Sequence, residues 1–194
     1  MGCQPSRDPH SIQSEVPNEI EEEMAERLEE PAPPAPTDPR LPLTALQVFK
    51  LKKSWKGIKR CMEATGVEMF IRLFRSNNGL QHLFKEFRDI DSNDDLRTNE
   101  LLAKHSNLVM ALLDETICNI DNVDYVLEII SRAGKSHARF EGFTPDLFVW
   151  MEKPFLEAVK LTLGDRYTDN MDVIYKLTIK FVLSHMVKAN NELT

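Results

Sequence analysis

The sequence predicts an all-α fold, and three observations carry that prediction. Apolar residues recur at helical intervals from Leu43 onward, no stretch sustains the alternation of a half-buried strand, and helix start and stop signals punctuate the periodic segments. With 194 residues and 42% hydrophobic content, the chain can build one well-buried domain of roughly 150 residues and still leave a tail.

Residues 1–42 read as that tail, disordered, acidic and Pro-rich. Residues 14–30 allow at most a fleeting acidic helix, and Pro31, Pro33, Pro34, Pro36 and Pro39 enforce an extended spacer after it. The folded domain is expected over 43–189, with 190–194 as a short C-terminal tail. Its first helix opens on Thr44 and Gln47 at capping-box spacing and repeats Val48, Leu51, Trp55 and Ile58. A second carries Val67, Phe70, Ile71 and Phe74 and stops at Asn77-Asn78-Gly79. An apolar turn follows with Leu80, Leu83, Phe84 and Phe87, and then an acidic segment, 89–95, read as a solvated flexible loop. A long helix over about 99–120 bears His105 on a stripe with Leu101, Leu108, Val109 and Leu112. The next runs through Val126, Ile130 and Ala133 to His137. After Phe140 and Gly142, Thr144 takes a cap position with Pro145 in the first turn. Helices near 145–163 and 168–189 complete the domain, and Pro154 is expected to kink the first of them or mark a local break.

Charge and cysteine usage exclude several classes of function. Residues 1–40 hold ten acids against three arginines, which accounts for the whole formal charge of −7. The remaining residues are balanced, so no basic surface large enough to hold nucleic acid is implied. Asp89, Asp91, Asn93, Asp95 and Glu100 fall at the ligand positions of a calcium loop, but Asp94 stands where that loop needs glycine and no second hand is present. Calcium binding is not expected. Three cysteines, Cys3, Cys61 and Cys118, make no disulfide framework in a reducing compartment, and the latter two read most simply as buried thiols. A regulatory Cys61–Cys118 bridge requires a proximity that sequence does not give.

Met1-Gly2-Cys3-Gln4-Pro5-Ser6 fits the N-myristoylation pattern, with Cys3 placed for palmitoylation. One myristoyl chain binds a bilayer only marginally and the tail has no polybasic helper, so Gly2 and Cys3 are both needed as anchors. The alternative is an ordinary terminus that happens to begin this way. With neither a run of eighteen apolar residues nor a signal-peptide core, the expected location is the cytosolic face of the plasma membrane or another membrane, or the cytoplasm if unacylated.

His105 and His137 each lie on an apolar helical stripe, so two helices can offer imidazoles to one apolar slot. That arrangement suits a flat apolar ligand carrying iron, because a neutral imidazole is a good iron ligand. Spacing alone is equally met by histidines that simply pack on their helix faces.

Trp55, the run Gly66-Val67-Glu68-Met69-Phe70-Ile71-Arg72-Leu73-Phe74, Leu83-Phe84, His105 with Val109, and Gly134-Lys135-Ser136-His137 occur in an order and spacing that resembles the globin family. The likeness covers about residues 43–189 and is greatest to neuroglobin and globin X, whose acylated members also start Met-Gly-Cys. It implies about eight helices in a three-over-three sandwich around haem b. Carried over residue by residue, His137 is the proximal iron ligand and His105 the distal histidine. Val109, Phe84 and Phe70 are distal-side contacts, and Phe143 and Phe148 contact the haem beyond His137. Small gases (O2, NO, CO) and an unidentified reductase or signalling partner are the implied partners. Trp55, Phe74, Phe155, Tyr175 and Phe181 read as core packing.

Two functions remain open on this reading. The first is a membrane-tethered redox globin, six-coordinate through His105 and His137, reacting with oxygen, superoxide, nitrite or nitric oxide. The second is a reversible oxygen binder, store or sensor acting through a partner protein. Haem-based redox activity is the one enzyme class left open; a hydrolase or transferase is not expected.

Overall fold

The computed structural model describes residues 37–77 and 79–193. The expectations for the acylation motif, the acidic stretch and the proline spacer as far as Pro36 fall outside the described residues. Among those described, seven α-helices and four short 3-10 turns occur, with no strand.

The capping box predicted for α1 (Ala45–Lys59) is present: Thr44 Oγ1 accepts from Gln47 N–H, and Gln47 Oε1 accepts from Thr44 N–H. Its buried face is Val48, Leu51, Trp55 and Ile58, as the periodicity requires. Packing starts slightly earlier than expected, because Leu41 and Leu43 are already buried. In α2 (Met62–Ser76) nearly every residue from Thr65 to Phe74 is buried, Glu68 included. A turn at Leu80–Leu83 leads to α3 (Asn93–Arg97), capped by Ser92 Oγ, which accepts from Asp94 N–H and Asp95 N–H. The acidic segment is therefore only in part the loop the sequence suggested: Asp89 and Asp91 stay in turn and coil, while Asp94 and Asp95 fall in the first turn of a helix, where negative charge is favoured.

The long helix α4 (Glu100–Cys118) buries Leu102, Ser106, Met110, Leu113, Thr116 and Ile117. This corrects the expected stripe: Leu101 and Leu108 are exposed, while His105, Val109 and Leu112 line the flank of the buried face. Helix α5 (Val123–Ser136) follows the predicted pattern with Val126 and Ile130 fully buried.

After 3-10 turns at His137–Arg139 and Pro145–Met151, α6 spans Glu152–Leu163. Pro154 does not kink α6. It occupies the third position of the helix, where its missing N–H would lack an intrahelical acceptor anyway, and the break falls before it, where 3-10 geometry gives way to α. After a further turn at Gly164–Arg166, α7 (Asp169–Asn191) continues past the expected boundary at 189. Asn190 is buried, and its side-chain amide donates to the Gly134 carbonyl at 2.9 Å.

Helices α1, α4 and α5 form one layer and α2, α6 and α7 the other. The layers meet where α2 crosses α4 and where α5 crosses α7. Both crossings pass at a glycine. A Cβ on Gly66 would lie 2.8 Å from Met110 Cγ and 3.1 Å from Ser106 Cβ; one on Gly134 would lie 2.6 Å from the Met186 carbonyl oxygen. Each histidine sits beside one of these crossings, His105 next to Ser106 and His137 three residues after Gly134.

Of the three cysteines, the two described, Cys61 and Cys118, are exposed and free, against the expectation of buried thiols. Cys61 caps the start of α2 and Cys118 ends α4, and helix termini lie at the surface.

Candidate functional site

His137 follows the last residue of α5, and its ring Nδ1 lies 2.8 Å from the Ala133 carbonyl oxygen. A carbonyl only accepts, so Nδ1 carries the proton and Nε2 keeps its lone pair. Around the ring stand Phe148 at 4.9 Å, Phe143 at 5.0 Å and Phe140 at 6.1 Å between centroids. Burial pushes the imidazole below its ordinary range and Arg139 adds to this, while the hydrogen bond to Ala133 acts the other way. A neutral ring with a fixed tautomer and a free lone pair is a competent metal ligand.

His105 projects from the flank of α4 against Phe70 at 5.1 Å and Phe84 at 5.3 Å, both edge-on. It has no hydrogen-bond partner among the described residues. Burial lowers its pKa most, the His137 side adds to the effect electrostatically, and Glu86 opposes it. The two imidazoles thus sense one another, and each is held uncharged by its apolar surroundings.

The distal rings belong to a larger cluster. Phe70, Phe74 and Phe84 are mutually in contact at 5.4 to 6.2 Å, and Phe87 stacks on Phe84 at 4.9 Å with 21° between planes. Phe87 was not among the expected site residues; its N–H donates to the Phe84 carbonyl at 3.3 Å across the turn that follows Leu80–Leu83, which brings the two rings together. Phe74 packs as core, as expected, but also buttresses Phe84. Phe140 was likewise not anticipated; it is exposed and carries the Arg139 guanidinium 4.9 Å above its ring. Val109 stands one helical turn beyond His105, partly buried against the core. All seven anticipated site residues are thus partly or fully buried, and the aromatic ones cluster about one histidine or the other.

A buried ion-pair network holds the short α3 to this scaffold. Glu68, 7% exposed, accepts from Arg72 at 2.7 Å and Arg97 at 2.6 Å, and Arg72 also reaches Glu157 on α6 at 3.0 Å. Among the described residues no group of three or more His, Cys, Asp or Glu side chains could hold a metal ion.

A family profile described as Globin matches residues 67–186. The chain belongs to the globin family. Cytoglobin-1 of Oryzias latipes is 27% identical to this globin over 130 residues, covering 67% of this chain and 71% of that protein. Neuroglobin of Dissostichus mawsoni is 25% identical over 118 residues, 61% of this chain and 74% of its own. Among solved structures, a hexacoordinated haem protein from an anhydrobiotic tardigrade, crystallised at pH 4, superposes with a TM-score of 0.77. It is 35% identical and covers 80% of this globin and 99% of its own chain.

Haem is the cofactor of this globin. The side chains present fit it: two neutral imidazoles supply nitrogen donors, and the phenylalanines around them supply apolar faces for a planar ring. Like other globins, this one binds small gases such as O2 and NO.

Proposed function

We propose that this globin holds its haem between His137 and His105, with both imidazoles on the iron, and works in electron transfer and redox signalling from the cytosolic face of a membrane. The observation that carries the reading is the state of His105: partly buried, its pKa lowered by that burial, edged by Phe70 and Phe84, and without a hydrogen-bond partner among the described residues. An imidazole in that condition is satisfied by a metal. The 35% identical tardigrade relative, described as hexacoordinated, supports the same coordination here.

Haem contributes an iron that changes oxidation state by one electron and can take up small ligands. The protein sets the terms. His137 is oriented by the Ala133 carbonyl and serves as the proximal ligand; Phe143 and Phe148 wall that side against water. Phe84, Phe70 and Val109 line the distal side. With His105 holding the iron, a gas would have to compete with that imidazole, which would lower the apparent gas affinity by the fraction of closed sites. Phe70 brings no hydroxyl to anchor oxygen, which disfavours tight trapping. Confinement at a bilayer through Gly2 and Cys3 would serve local signalling with a reductase or partner protein, whereas bulk oxygen storage gains nothing from it.

The visible spectrum of the reduced protein without oxygen tests the coordination. Sharp, split bands are expected for wild type and one broad band for His105→Leu, with faster gas binding in the variant. A broad band in wild type would replace this reading with an open site and reversible oxygen binding or sensing.

A further inference from the structure

Among the described residues α1 is the one long helix without an acidic residue, and it carries lysine at 50, 52, 53, 56 and 59, with Arg60 at its C-terminal cap. Its inner face, Val48, Leu51, Trp55 and Ile58, is buried. Its outer face follows the complementary register, with Leu46, Phe49, Lys53, Lys56 and Arg60 spaced by three or four and Lys50 beside Phe49 on the same face. Leu46 is 54% exposed and Phe49 62%. Asp121 engages Lys52 and Asp114 engages Lys59, but no ion pair among the described residues holds Lys50, Lys53, Lys56 or Arg60. Arg166 joins them from the turn after α6: its guanidinium lies about 3.3 Å from where a Gly57 Cβ would stand.

We infer that the outer face of α1 docks on an anionic bilayer, with Lys50, Lys53, Lys56, Arg60 and Arg166 against lipid headgroups and Leu46 and Phe49 entering the interface. The argument is one of complementarity. Beyond residue 40 the chain is charge-balanced, yet this face concentrates uncompensated cations, and its two large apolar side chains stand together at one end. Cations beside exposed leucine and phenylalanine on a helix make an interfacial surface rather than an ordinary solvated one. The inference needs no acyl chain. The segment that leads into α1 is the one that begins Met1-Gly2-Cys3, so an anchor there and this face would act on the same membrane.

The test uses the full-length chain with Gly2→Ala and Cys3→Ser, which removes both acyl sites, so its outcome is independent of the acylation reading. Cosedimentation with phosphatidylcholine vesicles is compared with vesicles containing phosphatidylserine. The expected result is salt-sensitive binding to the anionic vesicles alone, weakened about fivefold for each cation removed in Lys53→Gln, Lys56→Gln and Arg60→Gln. Phe49→Ser also weakens it, whereas a control with Lys85, Lys153 and Lys188 changed to Gln binds as the parent does. Equal binding to neutral vesicles would overturn the inference, and so would α1 variants that bind as the parent does or a loss that ignores Phe49. If acidic residues 19–30 or a protein partner cover this face instead, the chain ignores vesicles at every phosphatidylserine content, which also overturns it.

Discussion

Tyr175 shows how a single side chain ties this protein's stability to pH. It is fully buried between Trp55 and Phe155, with Tyr167 stacked at 5.9 Å, and its hydroxyl meets Ser54 Oγ at 2.9 Å. Burial pushes the phenol up to about 12, against which the Ser54 hydrogen bond acts only weakly. The unfolded chain releases this proton near pH 10, two pH units sooner, so it is the unfolded state that gains from alkali. Stability should therefore fall as pH rises from about 10 to 12, by up to about 1.4 kcal/mol per pH unit for this one group. Tyr167, raised by burial and by Asp172, steepens the same fall. Urea midpoints across that window should drop less for Tyr175→Phe than for wild type; parallel curves would assign the alkaline loss elsewhere. The two candidate ligand histidines were legible as residues because each was read on an apolar stripe of its helix. Their uncharged state was not, since it depends on rings brought from α2 and from the turns at Leu80–Leu83 and Pro145–Met151.

At the scale of elements, the glycine crossings decide where the histidines stand. The obstacle to a side chain at Gly134 is backbone, the Met186 carbonyl, whereas at Gly66 the nearest atom belongs to the flexible Met110 side chain. Gly134→Ala should destabilise by about 2 kcal/mol despite the better helix propensity of alanine, and Gly66→Ala by clearly less. Urea unfolding of the two variants measures the difference, and equal costs would mean that α5 and α7 separate as easily as Met110 repacks. Sequence periodicity located α1, α2, α5 and α7 within a few residues because each has one unambiguous apolar face. It failed on α4, where apolar residues occur on both sides: Leu101 and Leu108 suggested a stripe through His105, while the core chose Leu102, Met110, Leu113 and Ile117. Of the two effects expected of Pro154, a kink or a local break, only the break occurs, where 3-10 geometry gives way to α just before it. A proline breaks a helix only where its missing N–H was needed, and that depends on where the helix begins.

Across the whole molecule, charge is divided between an acidic N-terminal segment and a balanced folded region, and that division was plain in the sequence. Whether Gly2 and Cys3 are acylated is a property of the chain in a cell. Gly2→Ala should shift the protein from the membrane to the soluble fraction at physiological salt, and a tagged variant that stays membrane-bound would remove the acyl anchor from the account. The sandwich was foreseen as a globin from the order of its motifs, but its lower edge was not: residues after 189 read as a tail because Asn190 is polar. The bond that buries it links α7 to α5 across 56 positions of sequence, and no local pattern announces such a pairing.

That bond also bears on timing. Gly134 finds its packing partner at Met186 and its carbonyl finds a donor at Asn190, so the helix that presents His137 cannot settle until synthesis has passed residue 190. The α1, α2 and α4 contacts that support His105 are complete far earlier in the chain. During translation the distal half can thus take shape while the proximal half waits, and capture of the cofactor becomes an event that follows the arrival of α7 rather than one that guides the earlier helices.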